Sequence, residues 1–501
     1  MLIYEMLKAT ASRLPDKPAL ICDDETLTYR ELQRQVLSLA YNLQKMGVLK
    51  GDRVALLFPN CNEMAVAYFA CAALGAVAVP LNNRLTGKDL TYILRDCGAR
   101  MIVVGYQFFE IFQTIREGLP SLKDVIYAGP ERKPGAVYFG DLLGAAEPPP
   151  DVDLNPDDGA VIMYTSGTTG LPKGAVMTHR NVFTNARNCG AALTYKENDI
   201  TLIVVPLFHV TGLNSQLVAF LYVGGTCVIL KAYKTAEMIK AIERHRITVL
   251  FNVPTMYVLM LINEELKNTD ISSLRMAAYG GAPMDRETIV ALKERLGLDL
   301  YNAYGLTESS SLTTVLPACD AVRKAPSVGL PVSGVQIKTI ATDGRETPAG
   351  EAGELLIKGP NIVRGYFNKP EATQKSIIDG WLHTGDVARI DDEGYLFIVD
   401  RMKDMIVRGG ENIYSIEVES VLNSHPQVLE SAVVPEPHPI FGEVVKAFVV
   451  LRPDTQATPE EIIEFCQQNI ADYKVPASVV FLNELPRNPG GKVVKNRLKE
   501  I

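Results

Sequence analysis

Two rhythms of apolar and polar positions alternate along the first hundred residues. Leu32, Val36, Leu39, Ala40 and Leu43 recur at the spacing of one helix face, after a Thr28-x-x-Glu31 capping box and before Gly47 in a C-cap position. Arg53 to Phe58 predicts a strand, an Ala-rich helix follows, and Ala76 to Val79 predicts the next strand. A second capping box, Thr86-x-x-Asp89, opens a helix ending near Gly98, and Met101 to Val104 is a third strand. Continuously apolar strands separated by helices predict a parallel sheet covered on both faces. The stretch Glu147 to Asp158 is rich in proline and acid and predicts a surface connection. Residues 201–300 return to α/β alternation. From about Val328 to Val399, short alternating strands such as Gly353 to Lys358 lie between Gly, Pro and Asp turns, as in a small β-barrel or distorted sheet. A shorter α/β pattern follows Arg401 and is long enough for its own core.

Two long stretches lack formal charge, Met64 to Asn83 and Ile200 to Leu230. Gly75 and Pro80 break the first, and Pro206, His209, Gly212, Asn214, Ser215 and Gln216 interrupt the second. A membrane-spanning helix needs about 20 predominantly apolar residues in one run. Both stretches therefore predict buried helix and parallel strand, and the sequence stays compatible with peripheral membrane contact. The remaining composition is that of a globular chain of 501 residues, 47% hydrophobic and 22% charged, with a net charge of −8. The acidic excess argues against a general nucleic-acid binder, whose affinity comes from neutralising phosphates. Eight scattered cysteines without a C-x-x-C pair give neither a zinc knuckle nor a thioredoxin motif, and they fit a reducing cytoplasm. The N-terminus shows no basic region followed by a long apolar core, so no signal peptide is expected.

The segment richest in chemistry runs from Tyr164 through Thr165, Ser166, Gly167, Thr168, Thr169, Gly170, Leu171 and Pro172 to Lys173 and Gly174, after the apolar strand Ala160 to Met163. Spaced glycines let backbone N–H groups converge on an anion, and hydroxyls and a lysine add donors for phosphate oxygens. It is not a Walker A loop, because Gly174 stands where Ser or Thr would follow Lys173. This loop resembles the signature of the adenylate-forming superfamily, which holds acyl-CoA synthetases, peptide-synthetase adenylation domains and firefly luciferases. The likeness continues in order through Pro206 to His209, Gly280 to Pro283, Tyr304 to Glu308, Gly380 to Asp386, Asp400 to Asp404, Gly409 to Asn412 and Asn488 to Lys492. It spans nearly the whole chain. The fold it implies is α/β: a large AMP-binding domain over 1–400, with parallel α/β subdomains to about 327 and a small β-barrel subdomain over about 328–400. A small mobile α+β domain over 401–501 follows.

Gly280, Gly281 and Ala282 form a ledge poor in side chains and Tyr304 is an aromatic plane, and the resemblance implies that they sandwich adenine. Thr307 supplies a hydroxyl for phosphate, and Glu308 a hard carboxylate of the kind Mg2+ accepts beside phosphate oxygens. The resemblance puts Thr165 with Glu308 at the metal, and Asp386 and Arg401 at the ribose. On spacing alone, a surface ion pair is an equally fair reading of Asp386 and Arg401. Lys492 matches the family's lysine that bridges the substrate carboxylate and the α-phosphate. Lys403 matches its hinge, and Gly409 and Gly410 lie on the face turned inward for the second half-reaction; an ordinary hairpin turn is the competing reading. Arg408, Lys474, Arg487, Lys495 and Arg497 are candidates for coenzyme A phosphates, without assignment among them.

An amino-acid substrate would need a buried carboxylate for its ammonium group. In the family it resembles, that carboxylate falls shortly after the Pro-x-Phe motif; no Asp or Glu occurs here between Phe208 and Lys231, so the resemblance implies a substrate without an ammonium group. Val210, Leu213, Val253, Met256, Ala303 and Gly305 are apolar or small wall candidates, suited to an alkyl or aryl acid, and His209 resembles the family's gate beside the acyl site. The implied activity is ATP-dependent ligation of a carboxylic acid, a fatty acid by overall pattern, to coenzyme A through an acyl-adenylate. ATP, Mg2+ and coenzyme A are the implied cofactors. Aryl- or o-succinylbenzoate-CoA ligation and loading of a separate carrier protein are the alternatives. The chain is also compatible with a homodimer.

Overall fold

The computed structural model describes residues 1–144, 150, 152–165, 171–487 and 493–501. Part of the expected connection at 147–158 lies outside them. The helix expected after Thr28 spans Tyr29–Lys45, and Thr28 Oγ1 accepts the Glu31 N–H at 3.2 Å while Glu31 Oε2 accepts the Thr28 N–H at 2.8 Å. Leu32, Val36, Leu39, Ala40 and Leu43 are all fully buried. Each such aliphatic burial contributes roughly 1.5–3 kcal/mol. The second capping box starts the helix Gly87–Asp96 in the same way.

Two large sheets carry the first two-thirds of the chain. One has eight strands in the order Gly365–Tyr366, Lys173–Thr178, Gly159–Thr165, Val77–Pro80, Arg53–Leu57, Met101–Gly105, Asp124–Ala128 and Val137–Tyr138. The other has nine, running from Leu330–Pro331 through Thr314–Leu316, Asp299–Tyr304, Met276–Gly280, Val249–Asn252, Ile200–Ile203, Thr226–Ile229 and Pro18–Cys22 to Glu25–Thr28. Their centres are parallel, as the apolar strands predict; antiparallel strands close both edges of the nine-stranded sheet and one edge of the other, whose far edge, Val137–Tyr138, pairs parallel. The second sheet takes in the chain's start: Leu20 pairs in parallel register with Cys227.

Successive strand residues face opposite ways and fill different cores. Val54 and Leu56 of one sheet join Ile203, Phe251 and Ala278 of the other in a shared central core. Ala55 and Leu57, and Leu202 and Leu250, fill the outer cores under flanking helices. The charge-free stretch from Met64 becomes the helix Asn62–Leu74, in which every residue except Glu63 is buried, and then the strand Val77–Pro80. The second charge-free stretch gives two parallel strands joined by a π-helical turn, Thr211–Val218, and a short helix, Ala219–Val223. Among the described residues no helix is long and apolar enough to cross a membrane.

The β-rich stretch forms an antiparallel five-stranded sheet of Gln336–Ile340, Gly353–Lys358, Ile377–Ile378, Trp381–Ile390 and Leu396–Arg401. A C-terminal α+β unit follows. Its sheet holds Ile406–Arg408, Glu411–Ile413, Val428–His438, Gly442–Leu451 and Ser478–Phe481, with helices Ser415–Ser424 and Pro459–Asn469. A buried polar cluster joins this unit to the preceding strand. Asp400 accepts bonds from the Ser415 N–H and, at 3.0 Å, the Ser415 hydroxyl. Lys495 Nζ reaches Ser415 Oγ and Glu419 Oε1, each at 2.6 Å. Burial, outweighing the Lys495 charge, holds both carboxyls above their ordinary range.

Candidate active site

The phosphate-type loop is the tip of a hairpin. Strand Gly159–Thr165 pairs antiparallel with Lys173–Thr178, and Thr165 opposes Lys173. Ser166, Gly167, Thr168, Thr169 and Gly170 lie outside the described residues. The feet of the hairpin are fastened. Tyr164 Oη donates to Asp96 Oδ2 at 2.7 Å, Lys369 pairs with the other oxygen of Asp96 at 3.3 Å, and Tyr92 Oη donates to the Pro172 carbonyl at 3.1 Å. Burial and then the hydrogen bond to Asp96 push the Tyr164 hydroxyl far above its usual range, so it stays a donor. Gly174 serves packing: a Cβ there would lie 2.5 Å from Ile162 Cγ2.

Thr307 and Glu308 occupy a single turn, Thr307–Ser309. The next two residues are held in left-handed backbone, Ser310 at φ 59° and Ser311 at φ 123°. That is costly for non-glycine residues and persists only where surroundings enforce it. Here Asn361 Nδ2 donates to the carbonyls of Ser309 at 3.2 Å and Leu312 at 3.0 Å. From the π-helical turn, Asn214 Nδ2 donates to the Ser310 carbonyl at 3.0 Å and Ser215 Oγ to Ser311 Oγ at 2.7 Å. The two-residue strand Gly365–Tyr366 then delivers Tyr366, whose Oη donates to Glu308 Oε1 at 2.8 Å. Lys173 Nζ lies 5.2 Å from the centre of the same ring, within cation–π range. Burial, and next the Glu308 charge, raise the Tyr366 hydroxyl above its ordinary value.

The nucleoside candidates converge from two sheets. Gly280 ends its strand paired with Ala303, next to Tyr304, so ledge and ring sit at the carboxyl ends of neighbouring parallel strands, where α/β sheets bind ligands. A Cβ on Gly280 would meet the Ala303 carbonyl oxygen at 2.3 Å. Tyr304 Oη donates to Asp386 Oδ2 at 2.6 Å, and Arg401 Nε lies 3.3 Å from Asp386 Oδ1 across the strand pair. Asp386 is 4% exposed, which rules out a surface ion pair. Burial first and the Asp386 charge second raise the Tyr304 hydroxyl. The turn ahead of Asp386 is fixed by Glu354, which accepts the Gly385 N–H at 3.2 Å and meets His383 Nδ1 at 2.9 Å.

The acyl-site candidates are only partly assembled. Val210, Leu213 and Ala303 share the central core, whereas Met256 packs against the core on the other face of the nine-stranded sheet. The sequence groups them by their apolar or small character, and the nine-stranded sheet lies between the two cores they join. His209 sits before the π-helical turn, its Nδ1 accepting the Thr211 N–H at 3.3 Å.

Lys403 follows the strand Leu396–Arg401 directly, and Lys492 lies outside the described residues. Gly409 and Gly410, at φ 60° and 93°, make a two-residue hairpin turn between Ile406–Arg408 and Glu411–Ile413. Lys495, one of the coenzyme A phosphate candidates, is instead spent inside the cluster with Glu419 and Ser415. Lys474 pairs with Glu417 at 2.5 Å, and Arg408 donates to the Tyr473 carbonyl at 2.7 Å. Sequence reasoning missed Tyr366, Asp96 and Glu354, because nothing local marks a residue whose partner is 29 to 68 positions away.

Among the described residues no group of three or more His, Cys, Asp or Glu is gathered for a metal. That suits a cation carried largely by phosphate oxygens, since Mg2+ in nucleotide sites takes one or two carboxylates and keeps water. Glu308, with Oε1 engaged by Tyr366, fits as that carboxylate.

Comparison with known proteins places the chain in a family. Residues 7–367 match the AMP-binding enzyme family, and 417–492 match the AMP-binding enzyme C-terminal domain. A feruloyl-CoA synthase from Amycolatopsis is 37% identical over 473 residues, covering 94% of this chain and 93% of that one. A long-chain-fatty-acid–CoA ligase from Yersinia pestis is 34% identical over 539 residues, covering 99% and 94%. The structure of an anthranilate CoA ligase in complex with anthranoyl-AMP superposes with a TM-score of 0.94 at 28% identity, covering 100% and 97%. The chain belongs to the AMP-binding enzyme family, among its adenylate-forming acyl-CoA synthetases.

Proposed function

We propose that the chain activates an alkyl or aryl carboxylic acid with ATP and passes it to coenzyme A in two steps at one cleft. The observation that carries this reading is the convergence of Tyr304, buried Asp386 and Arg401 beside the Gly280–Gly281 ledge. In the first step the acid's carboxylate attacks the α-phosphate and pyrophosphate leaves. Tyr304 and the ledge hold the base, Asp386 accepts from the ribose hydroxyls, and Arg401, 3.3 Å from Asp386 Oδ1, orients it. Lys173 and the hydroxyls of Thr165 to Thr169 hold phosphate oxygens, with Thr307. Glu308 and Thr165 would hold Mg2+, which neutralises charge on the phosphate chain when bound. Lys492 is given the role of bridging the two anions that must meet, a kind of preorganised contact typically worth ~10²–10³ in rate.

In the second step the coenzyme A thiol attacks the acyl carbonyl, a thioester forms and AMP leaves. The division of labour is between a body over 1–400 and a unit over 401–501 that turns at Lys403, bringing Gly409 and Gly410 to the cleft in place of Lys492. The absence of any carboxylate from Thr211–Val218 supports an acid without an ammonium group. Eight free thiols, seven of them buried, support residence in the cytoplasm.

The test is AMP release, dependent on ATP and coenzyme A, over short, medium and long fatty acids, benzoates and o-succinylbenzoate, paired with Lys492→Ala. The variant should lose ATP–pyrophosphate exchange yet still make thioester from supplied acyl-adenylate. Equal loss of both half-reactions overturns the role of Lys492, and no AMP release with any acid overturns the reading as a whole.

A further inference from the structure

Lys173 and Glu308 are opposite charges brought to the same place by different elements. The lysine ends the phosphate hairpin, and the glutamate sits in the turn after the nine-stranded sheet's strand Asp299–Tyr304. An ammonium and a carboxylate that close to about 4 Å attract by roughly 4 kcal/mol near a protein surface. A direct pair would disarm both, because the phosphate chain needs the cation and the metal needs the carboxylate. They do not pair in the structure. Tyr366 stands between them, its ring face under Lys173 Nζ at 5.2 Å and its hydroxyl donating to Glu308 Oε1 at 2.8 Å.

Tyr366 is itself well fixed. Its strand pairs with Lys173–Thr178 at Gly365 with Val176 and Tyr366 with Ala175. The Tyr366 N–H donates to Thr373 Oγ1 at 2.9 Å, and the Phe367 N–H to the Gly174 carbonyl at 2.8 Å. The Val363 N–H also donates to the Glu308 carbonyl at 2.9 Å, so one short segment is stitched to both the lysine's strand and the glutamate's turn.

We propose that Tyr366 is a positioning residue for adenylation, a spacer that keeps Lys173 and Glu308 apart and leaves the second carboxylate oxygen of Glu308 directed to the divalent cation. This rests on the proposed role of Glu308 at the metal. Tyr366→Phe keeps the ring and the packing but removes the donor, so the carboxylate is free to swing to Lys173. Tyr366→Leu removes the ring as well.

The experiment uses the full chain with a non-hydrolysable ATP analogue and Mn2+ as the probe, its binding read by electron paramagnetic resonance. Tyr366→Phe should raise the Mn2+ dissociation constant roughly ten- to a hundredfold, the range for one charge-assisted hydrogen bond. ATP–pyrophosphate exchange should fall with it, while thioester formation from supplied acyl-adenylate holds. In a Glu308→Gln background, Tyr366→Phe should add almost nothing, because the two act as one unit. Unchanged Mn2+ affinity in Tyr366→Phe, full additivity with Glu308→Gln, or equal loss of both half-reactions with a lowered melting temperature would each overturn the spacer role. If the wild-type chain releases no AMP with any acid, the functional reading fails. If it does so and Tyr366→Phe matches it, only the spacer fails.

Discussion

Replacing Asp386 by asparagine tests whether the buried carboxylate is a ribose acceptor or a structural group. Its side chain takes one short bond from Tyr304 Oη at 2.6 Å and faces Arg401 at 3.3 Å. Asparagine keeps one acceptor oxygen and the shape, but it loses the charge and turns an N–H2 toward one of those neighbours. A hydrogen bond to a charged group contributes roughly 1.5–3 kcal/mol. Losing one such contact to the sugar, about 2 kcal/mol, predicts an approximately 30-fold rise in the KM for ATP. Stability should change far less. The Arg401 side chain is 38% exposed and rehydrates when its partner loses charge. The assay is ATP–pyrophosphate exchange against ATP concentration, with AMP binding by calorimetry and a melting curve beside it. An unchanged KM for ATP in a variant that melts like the wild type would refute the assignment. A raised KM for the acid with ATP unaffected would move Asp386 to the acyl side.

Other changes probe the frame of the site. Gly305→Ala would place a Cβ 1.4 Å from the Ser311 carbonyl oxygen, against a segment tied down by Asn214, Ser215 and Asn361. A loss of at least about 3 kcal/mol is expected from such overpacking, read as a lower denaturant midpoint, and an unchanged midpoint contradicts it. His179 is buried with its Nδ1 accepting the Ile3 N–H at 3.4 Å, and burial lowers its pKa to about 4. The unfolded chain, with histidine near 6.5, takes up a proton that the folded chain refuses. Stability from this group is therefore complete above about pH 6.5 and lost as pH falls toward 4. Urea unfolding of His179→Asn should show a flatter dependence between pH 7 and 5, and an unaltered slope would show that other groups govern it.

The parts that were legible in the sequence are those whose causes are local. Thr28 and Glu31 cap each other across three residues, and the apolar face that follows them is the one buried. The hydroxyl-rich loop and Glu308 could be singled out because their chemistry is written in adjacent residues, whereas Asp386 was singled out by the family resemblance, spacing alone leaving a surface ion pair equally fair. Tyr366 was not, because its importance comes from a two-residue edge strand laid against Lys173–Thr178 almost two hundred positions earlier. Lys495 looked like a free surface cation beside other basic residues, and only the folded packing of Ser415–Ser424 shows it engaged by Glu419. Met256 shares apolar character with Val210 and Leu213 but faces the other core, since spacing along the chain does not say on which side of a sheet a helix lies. The π-helical turn at Thr211–Val218 was hidden for a related reason: its buried Asn214 and Ser215 are satisfied by Ser310 and Ser311, far along the chain.

The pairing of Leu20 with Cys227 has a consequence for how the molecule is made. A ribosome adding roughly 5–20 residues per second needs about 10–40 s to cover the two hundred positions between those partners. Throughout that interval the apolar strand Pro18–Cys22 has no neighbour in its sheet other than its own hairpin mate, Glu25–Thr28. Newborn chains therefore carry an open strand edge throughout that stretch of their synthesis, and slowing translation before Thr226 would lengthen the time during which two of them can stick together.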